Sequence, residues 1–368
     1  MDVSTKVTIE GEKFLINGVA TYFGRHFEGK PVEGLLYNTR MVQATFDDEN
    51  VESAKQWAYP DTGKWDADRN LAEFVAQLPA YYDHGIRAIT LNLQGGMPIT
   101  GTENVQPWLN SALTPKGELK PAYFARLEKI LRACDDLGMV VILGYYYFGQ
   151  DENMEDEAAV IRGVDNVTDW LLDSGLENVL VEVNNECDVP LYEHEILTPT
   201  RVHELIERVK TRTRDGRRLL VSTSFTNWPF RDRAGLPLSG TPQNSAELNN
   251  AFIATLGKSP VEAVMDASDF ILFHTNGLDP EGADKIIRVV KDTAGLKANP
   301  RPLCINEDST IVGNMDAALS HYVPWGYYDQ GKNNYRDGFQ SPPVNWGLST
   351  PEKQSFFGRV AEITGVKA

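Results

Sequence analysis

A single (β/α)8 barrel, an α/β fold filling residues 1–368 as one domain, is the fold class the sequence predicts. Three observations predict it. From about residue 70 onward, segments with helical apolar spacing alternate with short apolar runs of strand length. Those runs lack the polar–apolar alternation of a half-solvated strand, as expected of a parallel sheet covered on both faces. Several of them give way abruptly, at their C-terminal ends, to Asn, Glu, His or Asp, and in a parallel barrel that end carries the chemistry. An open doubly wound sheet would want a Gly-rich phosphate turn after its first strand, and none is present.

The elements follow in order. Residues 1–18 alternate polar and apolar (Val7, Ile9, then Phe14, Ile16) around Glu10-Gly11-Glu12, the pattern of a hairpin, expected to cap the bottom of the barrel. Residues 19–24 are the first candidate barrel strand, ending in Arg25 and His26. Residues 28–68 form a long loop rich in Gly, Pro, Asn, Asp and aromatics, expected to be ordered over the barrel mouth. Leu71, Phe74, Val75, Leu78 and Tyr82 mark a helix closed at His84-Gly85, with Pro79 inside it. Residues 86–93 make a strand with Asn92 at its end. The helix of Tyr123, Phe124, Leu127, Ile130 and Leu131 stops at Gly138, and a strand over 139–144 runs into Tyr145, Tyr146, Tyr147 and Phe148.

The acidic start of the next helix, 151–157, fits a charged helix N-terminus better than any calcium loop. Val179–Val183 is then a buried strand ending in Asn184, Asn185, Glu186 and Asp188. A helix with Val202, Leu205, Ile206 and Val209 leads to a strand over 219–224, ending near Trp228. Residues 230–245 read as a Gly/Pro loop. A strand over 270–273 terminates in His274, Thr275 and Asn276. The strand of Leu303–Ile305 ends in Asn306, Glu307 and Asp308. Residues 322–328 supply the last strand with Trp325, and a loop with Trp346 leads to a helix opened by Thr350-Pro351, where proline suits the first helical position.

Composition narrows the function. The chain is 42% hydrophobic and carries a net charge of −17, which argues against nucleic acid and anionic membrane partners, since no basic patch interrupts the acidity. The densest basic run, Arg208 to Arg218, is broken by Thr and Asp and reads as a solvated helix end. Cys134, Cys187 and Cys304 have no metal-ligand spacing and read as reduced core thiols. No apolar run is long enough to span a membrane, and the first residues lack a signal peptide's basic and apolar regions. The expectation is a soluble chain, either cytoplasmic or exported with its leader already removed, and the sequence carries no mark of oligomeric state.

A lone carboxylate at a strand end is either a catalytic acid or a structural ion-pair partner. Two strand ends that each deliver a Glu to one barrel face supply the pair of carboxylates that glycoside hydrolysis needs. With Glu186 and Glu307 so placed, the chain resembles the retaining β-glycosidases of the (β/α)8 superfamily called clan A, which includes cellulases, mannanases and β-galactosidases. The resemblance is carried by Asn185-Glu186 on the fourth strand, Glu307 on the seventh, and Glu182, which completes a Glu-x-x-Asn-Glu pattern. Phe14-Leu-Ile-Asn-Gly18 is similar to the family's N-terminal hairpin, residues 127–143 to its second helix and third strand, His274 to a His after strand 6, and Trp325 to a substrate-platform Trp. It implies a hydrolase acting by double displacement on an oligosaccharide or a polysaccharide-derived glycoside, without cofactor or metal.

In that reading Glu186 is the acid/base and Glu307 the nucleophile, while Asn185 faces the sugar 2-hydroxyl. Arg25, His26, Asn92, Tyr145, Trp228, His274, Asn276 and Trp325 are candidate substrate contacts because they follow strands. The sequence departs from the family at Cys187, where Pro is common, and at Asn276, where a Tyr commonly steadies the nucleophile. Either another Tyr (Tyr145, Tyr146 or Tyr147) is then expected to take that Tyr's place, or the site differs. Two other readings stand beside the glycosidase: a catalytically silent carbohydrate-binding barrel, and a metal-dependent hydrolase, which the scattered six histidines disfavour.

Overall fold

The computed structural model describes residues 4–96, 106–237 and 259–366. Eight short strands surround one axis: β1 (Asn38–Arg40), β2 (Ala88–Asn92), β3 (Val140–Tyr146), β4 (Val179–Asn184), β5 (Leu220–Ser222, resuming as Ser224–Phe225), β6 (Ile271–His274), β7 (Leu303–Glu307) and β8 (Gly326–Tyr327). All pairings among them are parallel. The order β5-β4-β3-β2-β1-β8 forms one ladder and the second half of β5 continues into β6 and β7. Between β7 and β8 the ladder thins to the hydrogen bond from Ile305 N to Pro324 O at 3.1 Å. Gly326 permits that approach, because a Cβ there would lie 2.4 Å from Asn38 Oδ1 and 2.7 Å from the Ile305 carbonyl. The fold is a (β/α)8 barrel.

The outer ring is α1 (Ala67–Asp83), α2 (Pro121–Leu137), α3 (Glu157–Ser174), α4 (Val202–Thr211), α5 (Pro260–Ala267), α6 (Pro280–Lys291), α7 (Val312–Ser320) and α8 (Pro351–Thr364). Their ends are written locally. Asp66, Asp156, Ser259, Asp279 and Thr350 each accept a first-turn backbone N–H, as N-caps do. Gly138, Gly175 and Gly365 close α2, α3 and α8 in the left-handed conformation. The acidic start of α3 is thus a capped helix terminus, and α1 runs through Pro79 without ending.

Period-two alternation divides the core. Ile89, Leu91, Val141, Leu143, Val181, Val183, Val221, Phe273 and Ile305 face the helices, while Ala88, Val140, Ile142, Leu180, Leu272 and Cys304 fill the lower lumen. The hairpin of Val7–Glu10 and Lys13–Ile16 closes the bottom of the lumen with Val7 and Phe14. The Phe14 ring meets Phe270 edge-on at 6.1 Å, and Val7 N donates to Glu177 O just before β4.

The start of the barrel differs from expectation. Val19–Ala20 pairs with Lys13–Ile16 as a third strand of the N-terminal sheet, and the first barrel strand lies inside the expected 28–68 loop. The reason is physical: Asn38-Thr39-Arg40 is wholly polar yet fully buried, so it carries no apolar strand signal. The 230–245 loop is described as far as residue 237, where Trp228–Arg231 makes a short helical turn; its remainder lies outside the described residues. Among the described residues, no helix is long and apolar enough to cross a membrane.

Candidate active site

Four strand ends converge at the C-terminal mouth. Arg40 terminates β1, Asn185 and Glu186 follow β4, His274 terminates β6 and Glu307 terminates β7. The loop bearing Glu186 is pinned from both neighbouring strands by three hydrogen bonds. Asn185 N donates to Tyr146 O at 3.0 Å and Cys187 N to Ser224 O at 2.9 Å, while Glu186 N donates to Ser224 Oγ at 2.8 Å. Two residues on, the Asp188 carboxylate accepts from Thr226 N at 2.8 Å. These contacts hold Glu186 at φ +48°, a left-handed conformation a non-glycine residue adopts only when its surroundings impose it.

On the opposite wall, register slips between Phe273 and His274, so that His274 pairs with Glu307 and skips Asn306. Such a bulge re-aims side chains beside active sites. Here it lets consecutive residues both reach the axis: Asn306 Nδ2 donates to Glu182 Oε1 at 3.4 Å, and Glu307 meets Arg40, His274 and Asn276 at the C-terminal mouth.

Glu307 is held by three groups. Arg40 Nε stands 2.7 Å from its Oε2, an ion pair by distance whose N–H is not well aligned as a hydrogen bond. Asn276 Nδ2 donates to Oε1 at 2.7 Å, and His274 Nδ1 lies 3.7 Å from Oε2. Burial works against the Arg40 charge, but Glu307 together with Tyr147, Glu182 and Tyr328 more than offsets it and keeps the guanidinium firmly protonated. Arg40 also reaches Asn185, its Nη2 donating to Oδ1 at 3.0 Å. Glu186 Oε1 receives His274 Nδ1 at 2.8 Å. Carboxylate oxygens of Glu186 and Glu307, with a nitrogen of His274, all lie within 4.8 Å of one another.

Beneath this layer sits Glu182, fully buried in the lumen. Burial raises its pKa, and Arg40, His274, Ser224 and Asn306 counter that only in part. Gly144 opposite leaves the room: a Cβ there would stand 2.3 Å from Asn92 Nδ2 and 3.2 Å from Glu182 Oε2. Two phenols border the site. Burial pushes the pKa of Tyr147 and of Tyr328 well up, and each lies close enough to Arg40, Glu307 and Glu186 to feel their charge. Tyr147 packs with Phe148 and Val189, and Trp228 and Tyr192 lie against that cluster.

The structure brings together Asn185, Glu186, His274, Asn276 and Glu307, with Asn92 on the lumen wall below and Trp228 at the aromatic rim. Four other sequence candidates are placed elsewhere. Arg25 binds the carbonyls of Glu362 and Ile363 at the end of α8, and His26 lies in the short hairpin His26–Phe27 with Lys30–Pro31. Both were tied to a first strand that belongs to the N-terminal sheet. Tyr145 turns outward to Thr168 on α3. Trp325 is buried on the helix side of β8, its Nε1 donating to Asp308 Oδ2 at 2.9 Å and its ring against Phe356. Trp346 is likewise buried, against Phe74. The place expected for a replacement Tyr on Glu307 is taken by Asn276 itself.

Arg40 and Tyr328 escaped the sequence reading. The signal for Arg40 was a short apolar stretch, Leu35-Leu36-Tyr37, giving way to Asn38-Thr39-Arg40, the same change that marks the other strand ends. The donor atoms of Glu186, His274 and Glu307 are those of a metal site by type. However, Arg40 already stands as a cation on Glu307 Oε2, and His274 Nδ1 is engaged by Glu186, so charge is balanced from within the chain.

No family model and no curated protein matches the sequence. Solved structures match it in fold. A family 1 β-glucosidase from Thermotoga maritima aligns with TM-score 0.55 at 11% identity, over 91% of this chain and 98% of that one. An endo-1,4-β-mannanase from Rhizomucor miehei aligns with TM-score 0.53 at 13% identity, over 98% and 100%. A β-1,4-D-mannanase from Cryptopygus antarcticus gives TM-score 0.54 at 11% identity, over 99% and 98%. At these identities the likeness is one of fold: the chain has the barrel architecture of these glycosidases.

Proposed function

We propose that the chain is a retaining glycoside hydrolase of the clan A type, cleaving a β-glycosidic bond in an oligosaccharide or polysaccharide-derived glycoside. The observation that carries this reading is the pair of carboxylates from β4 and β7, whose oxygens approach within 4.8 Å. Retaining enzymes hold their two carboxyl groups about 5–5.5 Å apart, whereas inverting ones leave about 6.5–9.5 Å for a water.

Glu307 is the nucleophile. Arg40 and Asn276 fix its carboxylate, leaving it poised to attack the anomeric carbon. Glu186 is the acid/base: it protonates the leaving oxygen while the Glu307–carbon bond forms, then takes a proton from the water that releases the sugar. Asn185 accepts from Arg40 through Oδ1, and its buried Nδ2 has no protein partner. That amide is therefore free to donate to the sugar 2-hydroxyl, a bond that strengthens in the transition state. Trp228, Tyr147 and Phe148 offer an apolar rim on which a sugar face can stack.

A panel of aryl β-glycosides and β-linked oligosaccharides, assayed with the natural chain and with Glu307→Gln, tests the proposal. Hydrolysis of at least one member, lost in Glu307→Gln, is expected. Binding of a sugar by calorimetry with no turnover across the panel would favour a silent carbohydrate-binding barrel instead.

A further inference from the structure

Two adjacent acids, Glu307 and Asp308, close β7, and the mechanism uses only the first. Asp308 is buried, 1% exposed, and four donors converge on its carboxyl group. Trp325 Nε1, just before β8, donates to Oδ2 at 2.9 Å, and Thr275 Oγ1, just after β6, donates to the same oxygen. Asn314 Nδ2 on α7 donates to Oδ1 at 3.0 Å, and Ser309 Oγ donates to Oδ1 at 2.6 Å. We propose that Asp308 is a positioning residue for the reaction: it ties the end of β7 to β6, β8 and α7, and so fixes the backbone from which Glu307 attacks.

The end of β6 shows why these contacts bear on the nucleophile. Thr275 and Asn276 are consecutive, as are Glu307 and Asp308, and the two pairs are cross-linked. Asn276 Nδ2 holds the Glu307 carboxylate at 2.7 Å, Thr275 Oγ1 holds Asp308, and Thr275 N donates to the Glu307 carbonyl at 3.3 Å. The contacts on the Glu307 carboxylate itself must loosen as one of its oxygens bonds to the anomeric carbon. Those on Asp308 involve no reacting atom and persist through the cycle, so the nucleophilic side chain can move while its backbone stays in place. Such precision matters, because a misplacement of about 1 Å can cost about 10²-fold in rate, and supporting hydrogen bonds behind the reacting groups are what hold it.

The arrangement is costly, which argues against a role in stability alone. All four donors to Asp308 are neutral groups. Burial pushes its pKa up, and the hydrogen bonds from Ser309, Thr275, Trp325 and Asn314 counter that only in part. Burying a carboxyl without a counter-charge costs free energy, and departures of this kind from the most stable choice gather at functional sites.

This inference rests on the glycosidase reading, and its test separates the two. Asp308→Asn keeps the shape and replaces one acceptor by a donor, while Thr275→Val, the milder change, removes the β6 tether alone. For both variants and the parent, kcat and KM are measured on an activated aryl β-glycoside, with melting midpoints alongside. The expected result is a fall in kcat of about 10²-fold in Asp308→Asn and a smaller fall in Thr275→Val, with KM nearly unchanged in both. The same substitutions are then made in Glu307→Gly, with azide supplied to attack the anomeric carbon in place of the missing carboxylate. There the backbone at 307 carries no nucleophile, so neither substitution should lower the azide-dependent rate further. Equal losses in the two backgrounds would reveal a general structural role and overturn the proposal, as would an unchanged kcat in both variants. Should Asp308→Asn fail to fold, Thr275→Val in the two backgrounds gives the same decision. A parent that turns over no glycoside and takes up no covalent label would instead overturn the glycosidase reading, and this inference would fall with it.

Discussion

The lower and upper halves of the barrel lumen are lined by the same strands and behave as different materials. Below, Leu180, Leu272, Cys304 and Ala88 pack with Ile142 onto the Phe14 plug. Two residues further along those strands, on the same inward face, stand Glu182, His274, Asn306 and Thr90. A step of two residues changes an apolar core into a buried polar and charged cluster. Burying Arg40, Glu182 and Glu307 costs free energy even when they are paired, and the apolar layer below, together with the ring of helices outside, must offset it. On the proposed reading the lower layer serves stability and the upper layer chemistry, a division parallel barrels make between their two ends.

That division fails or sharpens under substitution. The largest effect is expected at Glu307→Gln, with a loss of turnover of about 10⁴-fold or more, while circular dichroism and the unfolding midpoint stay close to those of the parent. Unfolding of this variant would mean that Glu307 belongs to the stability half. Next is Glu186→Ala, expected to lower kcat by about 10²–10⁴-fold for substrates with poor leaving groups. The loss should shrink when the leaving group needs no proton, which a comparison of an alkyl with a dinitrophenyl glycoside reads directly; equal losses on both would remove Glu186 from the acid role.

Phe14→Ala should do the reverse. Denaturant unfolding is expected to show about 3–5 kcal/mol of lost stability, with activity per folded molecule unchanged. A specific loss of kcat would mean that the two halves are mechanically coupled.

The smallest effect concerns Glu182. Its pKa is raised in the folded chain, first by burial, so the folded state holds a proton that the unfolded state releases above the ordinary carboxylate value. Stability from this site is thus greatest at low pH and falls as pH rises from that value through the folded one. Glu182→Gln keeps the shape without the proton. Its stability relative to the parent should rise across that pH window, and thermal melts of both proteins as a function of pH will show a widening gap. A constant gap would place an ionised Glu182 in the lumen.

Much of this arrangement was legible in the residues. Val179–Val183 and Leu303–Ile305 are apolar enough to read as buried strands, and their change into Asn-Glu marks both carboxylates as strand-end residues. Helix ends at Gly138 and Thr350-Pro351 were equally plain, because caps are local chemistry. The first strand was hidden since β1 is built from Asn38, Thr39 and Arg40, of which Arg40 meets Asn185 and Glu307 and Asn38 meets Cys304 and the Ile305 carbonyl, while Val19–Ala20 looked apolar but pairs in the N-terminal sheet. Arg25 and His26 went astray with it. Trp325 and Tyr145 show a second limit: strand-end position does not fix which way a side chain turns, and partners such as Asp308 and Thr168 lie far away in sequence.

The measurement that bears most directly on the central claim is mass spectrometry of the protein treated with activated 2-deoxy-2-fluoro β-glycosides, which slow release of a covalent intermediate. The account predicts a single added glycosyl group, located by peptide mapping on Glu307 and absent from Glu307→Gln. A glycosyl group carried by another residue, or turnover that yields the inverted anomer with no adduct, would contradict it.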